Sequence, residues 1–261
     1  MNPASSGGTQ AVARAAALLR EIAAQPQGSS LADLALRLAL ERPTAYRILQ
    51  RLVLEGLVLQ DPTSKAYTLG PLLYELGLAA KAPPYFQALA REALSEVARS
   101  SGDTVFALVS SGRDSLCIDR QEGDYPIKAL LMSPGRRRPL GAGSGSLALL
   151  SAMPPDKAQE ILQANQVRLQ ADGDGDLATL SAVVAQARDS GFVLRAPVSA
   201  PEILSLAVPV TNRYGAPVMA ISISALQFRI SHRLEMLQAL LRDARKAVQD
   251  ALPETWHTRG H

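Results

Sequence analysis

Four hydrogen-bonding side chains, Tyr46, Arg47, Gln50 and Arg51, fall on one side of a helical wheel drawn through RPTAYRILQRL. With Pro43 they recur at i, i+3, i+4, i+7 and i+8, while Ala45, Ile48, Leu49 and Leu52 take the opposite side. Such a face matches base edges in the major groove of duplex DNA. Arginine can donate twice to guanine, glutamine can pair with adenine, and tyrosine can bond a phosphate or pack on a thymine methyl. Arg42 adds a donor at the helix start, where recognition helices make their base contacts. Ser30 and Thr44, each near a helix start, suit phosphate oxygens together with backbone N–H groups. Lys65 and Tyr67, in the segment that follows, are placed to reach the sugar-phosphate backbone or an adjacent minor groove. A polar helix face is equally compatible with plain solvation, so the neighbouring elements decide between the two readings.

A second cluster lies late in the chain. Period-two alternation puts Ser222 and Ser224 on one face of a strand and Met219, Ile221 and Ile223 on the other; Ile203, Ser205 and Ala207 share a face in the same way. If 211–216 is the loop of a simple hairpin, Ser205 stands opposite Ser222 and three hydroxyls gather on one side, a set of donors for a carboxylate. The competing reading is that small serines pack beneath a helix and bond to backbone.

Other motifs carry less. The run Gly141–Ser146 has no GK[ST] ending and Ser144 lacks the flanking glycines of a nucleophile elbow, so neither a phosphate-binding loop nor a hydrolase follows. Asp172, Asp174 and Asp176 alternate with glycine like the start of a calcium loop, but position twelve is Val183 rather than glutamate, and a solvated loop is expected. The histidines are His232, His257 and His261, which support neither a structural zinc site nor a catalytic triad. No cofactor is expected. Cys117, within an apolar strand, reads as core rather than redox sensor. Arg136 to Arg138 read as a solvated charge run, or as the rim of a pocket or a subunit contact.

The elements that position these groups follow from composition and periodicity. The 261 residues exceed a usual single domain, and 47% hydrophobic with 20% charged residues suits a soluble globular chain without membrane association. No apolar run reaches the roughly 18 residues of a membrane span. The first residues lack the order of a secretory signal, and a single cysteine precludes an internal disulfide framework; both suit the cytoplasm. Residues 1–80 carry Arg14, Arg20, Arg37, Arg42, Arg47, Arg51 and Lys65 against Glu21, Asp33, Glu41, Glu55, Asp61 and Glu75, a balance of +1. Placement of charge, rather than its quantity, must then carry any DNA contact.

Residues 1–9 are expected to form a disordered arm and 253–261 a flexible tail. Helical periodicity from Thr9 to about Gln25, a short helix over 31–38 capped by Ser30, a third helix over 42–55 and a hairpin of 58–60 with 66–69 make a winged helix-turn-helix over 10–70. A linker helix over 71–84 leads to a helix over 85–100. Strands at 104–110, 116–120, 127–132, 192–195, 203–210 and 218–224, with helices at 145–164, 176–190 and 231–251, predict an α+β domain over 85–252 with an antiparallel sheet.

The stretch SLADLALRLALERPTAYRILQRLVLEGLVLQDPTSKAYTLG is similar in spacing throughout to the helix-turn-helix and wing of IclR-type bacterial transcriptional regulators. CIDRQEGDYPI, SPGRRRPLGAGSGSLALL and AVPVTNRYGAPVMAISIS extend the resemblance to residues 10–250. It implies a homodimer or dimer of dimers (a homotetramer) on pseudo-palindromic double-stranded operators. It also implies a GAF-like C-terminal domain that responds to a small organic acid, with repression the expected mode. In that family the effector lies against the late strands, under a loop. Position by position, the resemblance points to Ser144 and Gly145 in the glycine-rich loop, to Ser205, Ser222 and Ser224, and to Ile127, Leu130 and Ile203 as apolar walls. Gly-rich backbone lets N–H groups approach an anion closely. Three positions depart from the pattern. Many members carry histidine at the position of Gly141, cysteine at that of Ser205 and an acidic residue near Arg195. A roomier, more basic pocket is the consequence, suited to a carboxylate larger than two carbons, aromatic acids included. The rival readings are an enzyme with an N-terminal binding module, for which no base, nucleophile or metal set can be assembled from the sequence, and a protein-interaction module built on the winged helix.

Overall fold

The computed structural model describes residues 4–25, 27–79, 84–198 and 200–252. The chain divides into two compact units, Met1–Ala82 and Pro83–His261.

In the first unit three helices, α1 (Ala4–Ala23), α2 (Leu31–Arg37) and α3 (Arg42–Leu54), precede a hairpin of β1 (Val58–Gln60) and β2 (Tyr67–Leu69), and α4 (Pro71–Ala79) follows. Helix α1 begins at Ala4, inside the stretch expected to be an arm; the tail expected over 253–261 lies outside the described residues. The apolar stripes of the three helices converge with the wing: Leu18, Ile22, Leu34, Leu49, Leu52, Val58 and Tyr67 form one core. Ser29 extends the hairpin, exchanging backbone bonds with Tyr67 at 3.0 and 2.8 Å. Helix α2 ends in a Schellman arrangement, with Leu40 N–H on the Ala35 carbonyl (2.9 Å), Ala39 N–H on that of Leu36 (3.2 Å), and Ala39 itself in the left-handed region at φ 49°. That turn aims α3 away from α2. Where α3 meets the wing, Gly70 backs onto Gly56 so closely that a Cβ would sit 2.1 Å from the Gly56 carbonyl oxygen.

The second unit is built on a six-stranded antiparallel sheet of β3 (Thr104–Ser111), β4 (Asp114–Glu122), β5 (Arg137–Pro139), β6 (Val193–Arg195), β7 (Ile203–Thr211) and β8 (Pro217–Leu226), in spatial order β5-β4-β3-β8-β7-β6. Alternation along the central strands gives each face its own core. Val105, Leu206, Val208, Ile221 and Ile223 pack with α5 (Pro84–Ser101) and α10 (Leu234–Asp250). Phe106, Leu108, Cys117, Ala207 and Ala220 pack with α6 (Gly143–Ser151), α7 (Pro155–Ala171) and α8 (Leu177–Ser190). A short α9 (Gln227–Ser231) leads into α10.

Two further expectations change. The single helix expected over 145–164 is two, α6 and α7, because Pro154 and Pro155 stop the first and start the second. Residues 127–132 are a loop rather than a strand, bounded by Pro126 and by Pro134-Gly135.

Candidate nucleic-acid interface and ligand pocket

Helix α3 buries Ala45, Leu49 and Leu52 and leaves Arg42, Pro43, Tyr46, Arg47 and Arg51 exposed, with Thr44, Ile48 and Gln50 between. Arg51 pairs with Glu55 one turn on. Arg42 and Arg47 make no ion pair with a described residue, so their guanidinium groups are uncommitted donors. Ser30 has a structural duty: its Oγ caps α2 by accepting from Asp33 N–H (3.1 Å) and donates to the Asp33 carboxylate (2.7 Å). At the wing tip Asp61 accepts from Thr63 N–H (3.0 Å), Ser64 N–H (2.6 Å) and Ser64 Oγ (2.8 Å), which holds its carboxyl below the usual carboxylate range and fixes the turn. Lys65, exposed and at φ 58°, projects from that turn. Tyr67 does not. Expected to reach DNA from the wing, it is 1% exposed and fills the core beneath α1. The pairing of β1 and β2 turns it inward, while Thr68 is half-buried on the other face and Leu69, at the strand end, is exposed.

In the second unit a pocket opens between the sheet and the start of α6. Of the residues expected there, Ser144, Gly145, Arg195, Ser205, Ser222 and Ser224 line it. Ile127 and Leu130 do not: they are 57% and 52% exposed on the loop, and Leu131 and Met132 provide the apolar wall instead. Ile203 is buried beside Leu226 at the far end of β7, outside the lining. Phe106 and Leu108 close the floor; the register of β3 with β8 places Phe106 opposite Ser222, a long-range pairing with no local sequence signal.

The serines do cluster, in a different register from a simple hairpin. An irregularity at Val210/Thr211 pairs Ser205 with Ser224, and Ala207 with Ser222. Ser144 Oγ donates to the Ser205 carbonyl (3.1 Å), with the Arg195 carbonyl a longer second acceptor (3.4 Å), tying α6 to β6 and β7. Gly141 is not a pocket residue: a Cβ there would meet Leu169 at 2.8 Å and Leu162 at 2.9 Å, so its lack of a side chain serves the contact with α7 and does not enlarge the pocket.

Free space between the lining side chains is about 40 Å³. Small-molecule sites run to roughly 300 Å³ and above, so a ligand of aromatic size enters only if the lining side chains move apart.

Electrostatics there is set by three charges. Arg138, from the run read either as a solvated charge run or as the rim of a pocket or a subunit contact, lines the pocket and pairs with Asp174 at 2.9 Å. Arg195 donates through one amino group to the Asp174 carbonyl, while its Nη1 is buried with no hydrogen-bond partner. Asp174, expected on a solvated loop, is 4% exposed; burial pushes its carboxyl above the usual range, against the pull of Arg138 and Arg195. Among the described residues no cluster of three metal-ligating side chains occurs, and no helix is long and apolar enough to cross a membrane.

Residues 11–62 match the IclR helix-turn-helix domain, and residues 85–251 match the bacterial transcriptional regulator IclR C-terminal domain. The chain is 32% identical to the HTH-type transcriptional regulator Rv1719 of Mycobacterium tuberculosis over 181 residues, 67% of this chain and 66% of that relative. It is 30% identical to the glycerol operon regulatory protein of Streptomyces coelicolor over 249 residues, 92% of this chain and 94% of that one. An IclR homolog from Microbacterium hydrocarbonoxydans, solved in complex with 4-hydroxybenzoate, shares the fold at a TM-score of 0.73 and 22% identity, covering 92% of this chain and 98% of that chain. With a helix-turn-helix whose outward face exposes arginines and a C-terminal domain that holds a pocket, the chain belongs to the IclR family of bacterial transcriptional regulators.

Proposed function

We propose that this regulator is a repressor whose hold on its operator is released or altered by an organic acid seated in the C-terminal pocket. Arg42, Tyr46, Arg47 and Gln50 read base edges in the major groove and Lys65 contacts the backbone beside them. A single α3 binds weakly, so the working unit is a homodimer or dimer of dimers on a two-fold site, acting in the cytoplasm where the DNA is. We assign it a binding rather than a catalytic role, in keeping with relatives that are named as regulators.

The observation that carries the acid reading is Arg195 Nη1, a buried cationic donor without a partner, in a pocket that also offers the hydroxyls of Ser205, Ser222 and Ser224. An unpaired buried donor of this kind is costly unless a ligand satisfies it, and a carboxylate does so best. Calorimetry with 4-hydroxybenzoate and its amide, 4-hydroxybenzamide, tests the reading, the acid being the one carried by the fold neighbour from Microbacterium. The acid binds more tightly than the amide, and Arg195→Ala removes the difference. Equal binding of acid and amide, or an Arg195→Ala variant that keeps the preference, overturns it.

A further inference from the structure

Behind two of the pocket's lining residues, Arg138 and Arg195, lies a buried carboxylate. Asp174 sits on the loop between α7 and α8 with a left-handed glycine on each side, Gly173 at φ 73° and Gly175 at φ 120°, and this backbone turns its side chain inward. Its Oδ2 is 2.9 Å from Arg138 Nη2. That pocket-lining guanidinium is what a ligand anion would otherwise use. The side chain of Asp174 is thereby spent on Arg138. Among the described residues the Arg195 side chain donates to the neutral carbonyl of Asp174, and its Nη1 is buried without a hydrogen-bond partner. Two fixed cations against one fixed anion leave a single unmatched positive charge in the pocket.

Building on the acid reading above, we propose that Asp174 is the residue that fixes the charge class of the ligand: it occupies the Arg138 seat as an internal carboxylate, so the pocket accepts a monocarboxylate on Arg195 and rejects a dicarboxylate. A second carboxylate on the ligand meets a like charge where Asp174 stands, and its seat on Arg138 is taken. Replacing Asp174 by asparagine frees Arg138 and raises the charge of the pocket by one with nearly the same shape.

Calorimetry on the full chain with 4-hydroxybenzoate and benzene-1,4-dicarboxylate, two para-substituted rings of similar size, tests this. Wild type binds the monoacid at least tenfold more tightly than the diacid, and Asp174→Asn shifts the ratio at least tenfold toward the diacid, with a thermal melt confirming that the variant is folded. Arg138→Gln is the second variant: it removes the cation that Asp174 neutralises, and it weakens the monoacid while excluding the diacid further. Monoacid binding with a ratio that neither variant moves overturns the role of Asp174 and leaves the acid reading intact. No binding of either acid by wild type or Asp174→Asn overturns the acid reading and this inference with it.

Discussion

Ser205 and Ser224 meet hydroxyl to hydroxyl at 2.7 Å between β7 and β8, and they are 4% and 2% exposed. Each bonds the other at the pocket wall, so removing one leaves the second, still largely buried, without that partner. Ser205→Ala and Ser224→Ala each lower stability by about 1–2 kcal/mol, while the double variant costs less than the sum. Urea denaturation of the three variants measures this coupling; strict additivity would mean that the pair does not act as one unit.

Arg47 and Tyr67 separate recognition from architecture within the first unit. Arg47 is exposed on α3 and outside any described ion pair, so Arg47→Ala costs about 1–3 kcal/mol of operator binding and leaves the melting temperature unchanged. Tyr67 fills the core, and Tyr67→Ala costs about 3–5 kcal/mol of stability, so DNA binding is lost through unfolding. Fluorescence anisotropy beside thermal melts distinguishes the two.

The contrast also marks how far the sequence could be read. Helix α3 was legible because its donors and its apolar residues sort by helical period, which is a local property. Tyr67 was misplaced because a three-residue strand offers too short an alternation to say which face is inward; Val58 and Tyr67, both buried, settle it only once β1 and β2 are paired. The serines were legible by parity, but the irregularity at Val210/Thr211 set their partners. Asp174 reads as solvated because it lies in a run of glycine, and Arg138, in a run of charge, reads equally as solvated or as a pocket rim; the two are 36 residues apart. Arg138 stands on β5 and Asp174 on the loop after α7, and only the tertiary packing of those two segments brings them together.

Ala39 occupies the left-handed position of the Schellman turn between α2 and α3, where a Cβ is strained. Ala39→Gly raises stability by about 1 kcal/mol, the relief of that strain outweighing the extra freedom of glycine in the unfolded chain. Chemical denaturation checks the sign. A loss of stability would show that the turn holds alanine without strain.

Cys117 is buried against the helices over the sheet, and burial first, then the nearby Asp119 carboxylate, pushes its thiol up to about 11 from the ordinary 9.0. At pH 8 the folded protein therefore resists iodoacetamide, and alkylation appears only with unfolding. The sign with pH follows: between 9.0 and about 11 the unfolded chain has lost the thiol proton and the folded one has kept it, so this group's contribution to stability falls as pH rises. Denaturation midpoints across that window, compared with Cys117→Ala, isolate the slope. Rapid alkylation of the folded chain would contradict the assignment to the core.

The central claim is that α3 reads DNA while the Arg195 pocket controls it. Anisotropy of a labelled duplex selected for binding to wild type from a random-sequence pool, titrated with wild type, Arg47→Ala and Arg195→Ala with and without 4-hydroxybenzoate, tests it most directly. Wild type binds with a steep dependence on salt and its affinity shifts several-fold with the acid; Arg195→Ala binds as tightly but no longer responds; Arg47→Ala loses the fragment yet still binds the acid in calorimetry. If Arg195→Ala responds to the acid like wild type, or if either variant loses both activities while remaining folded, the division of labour between the two units is wrong.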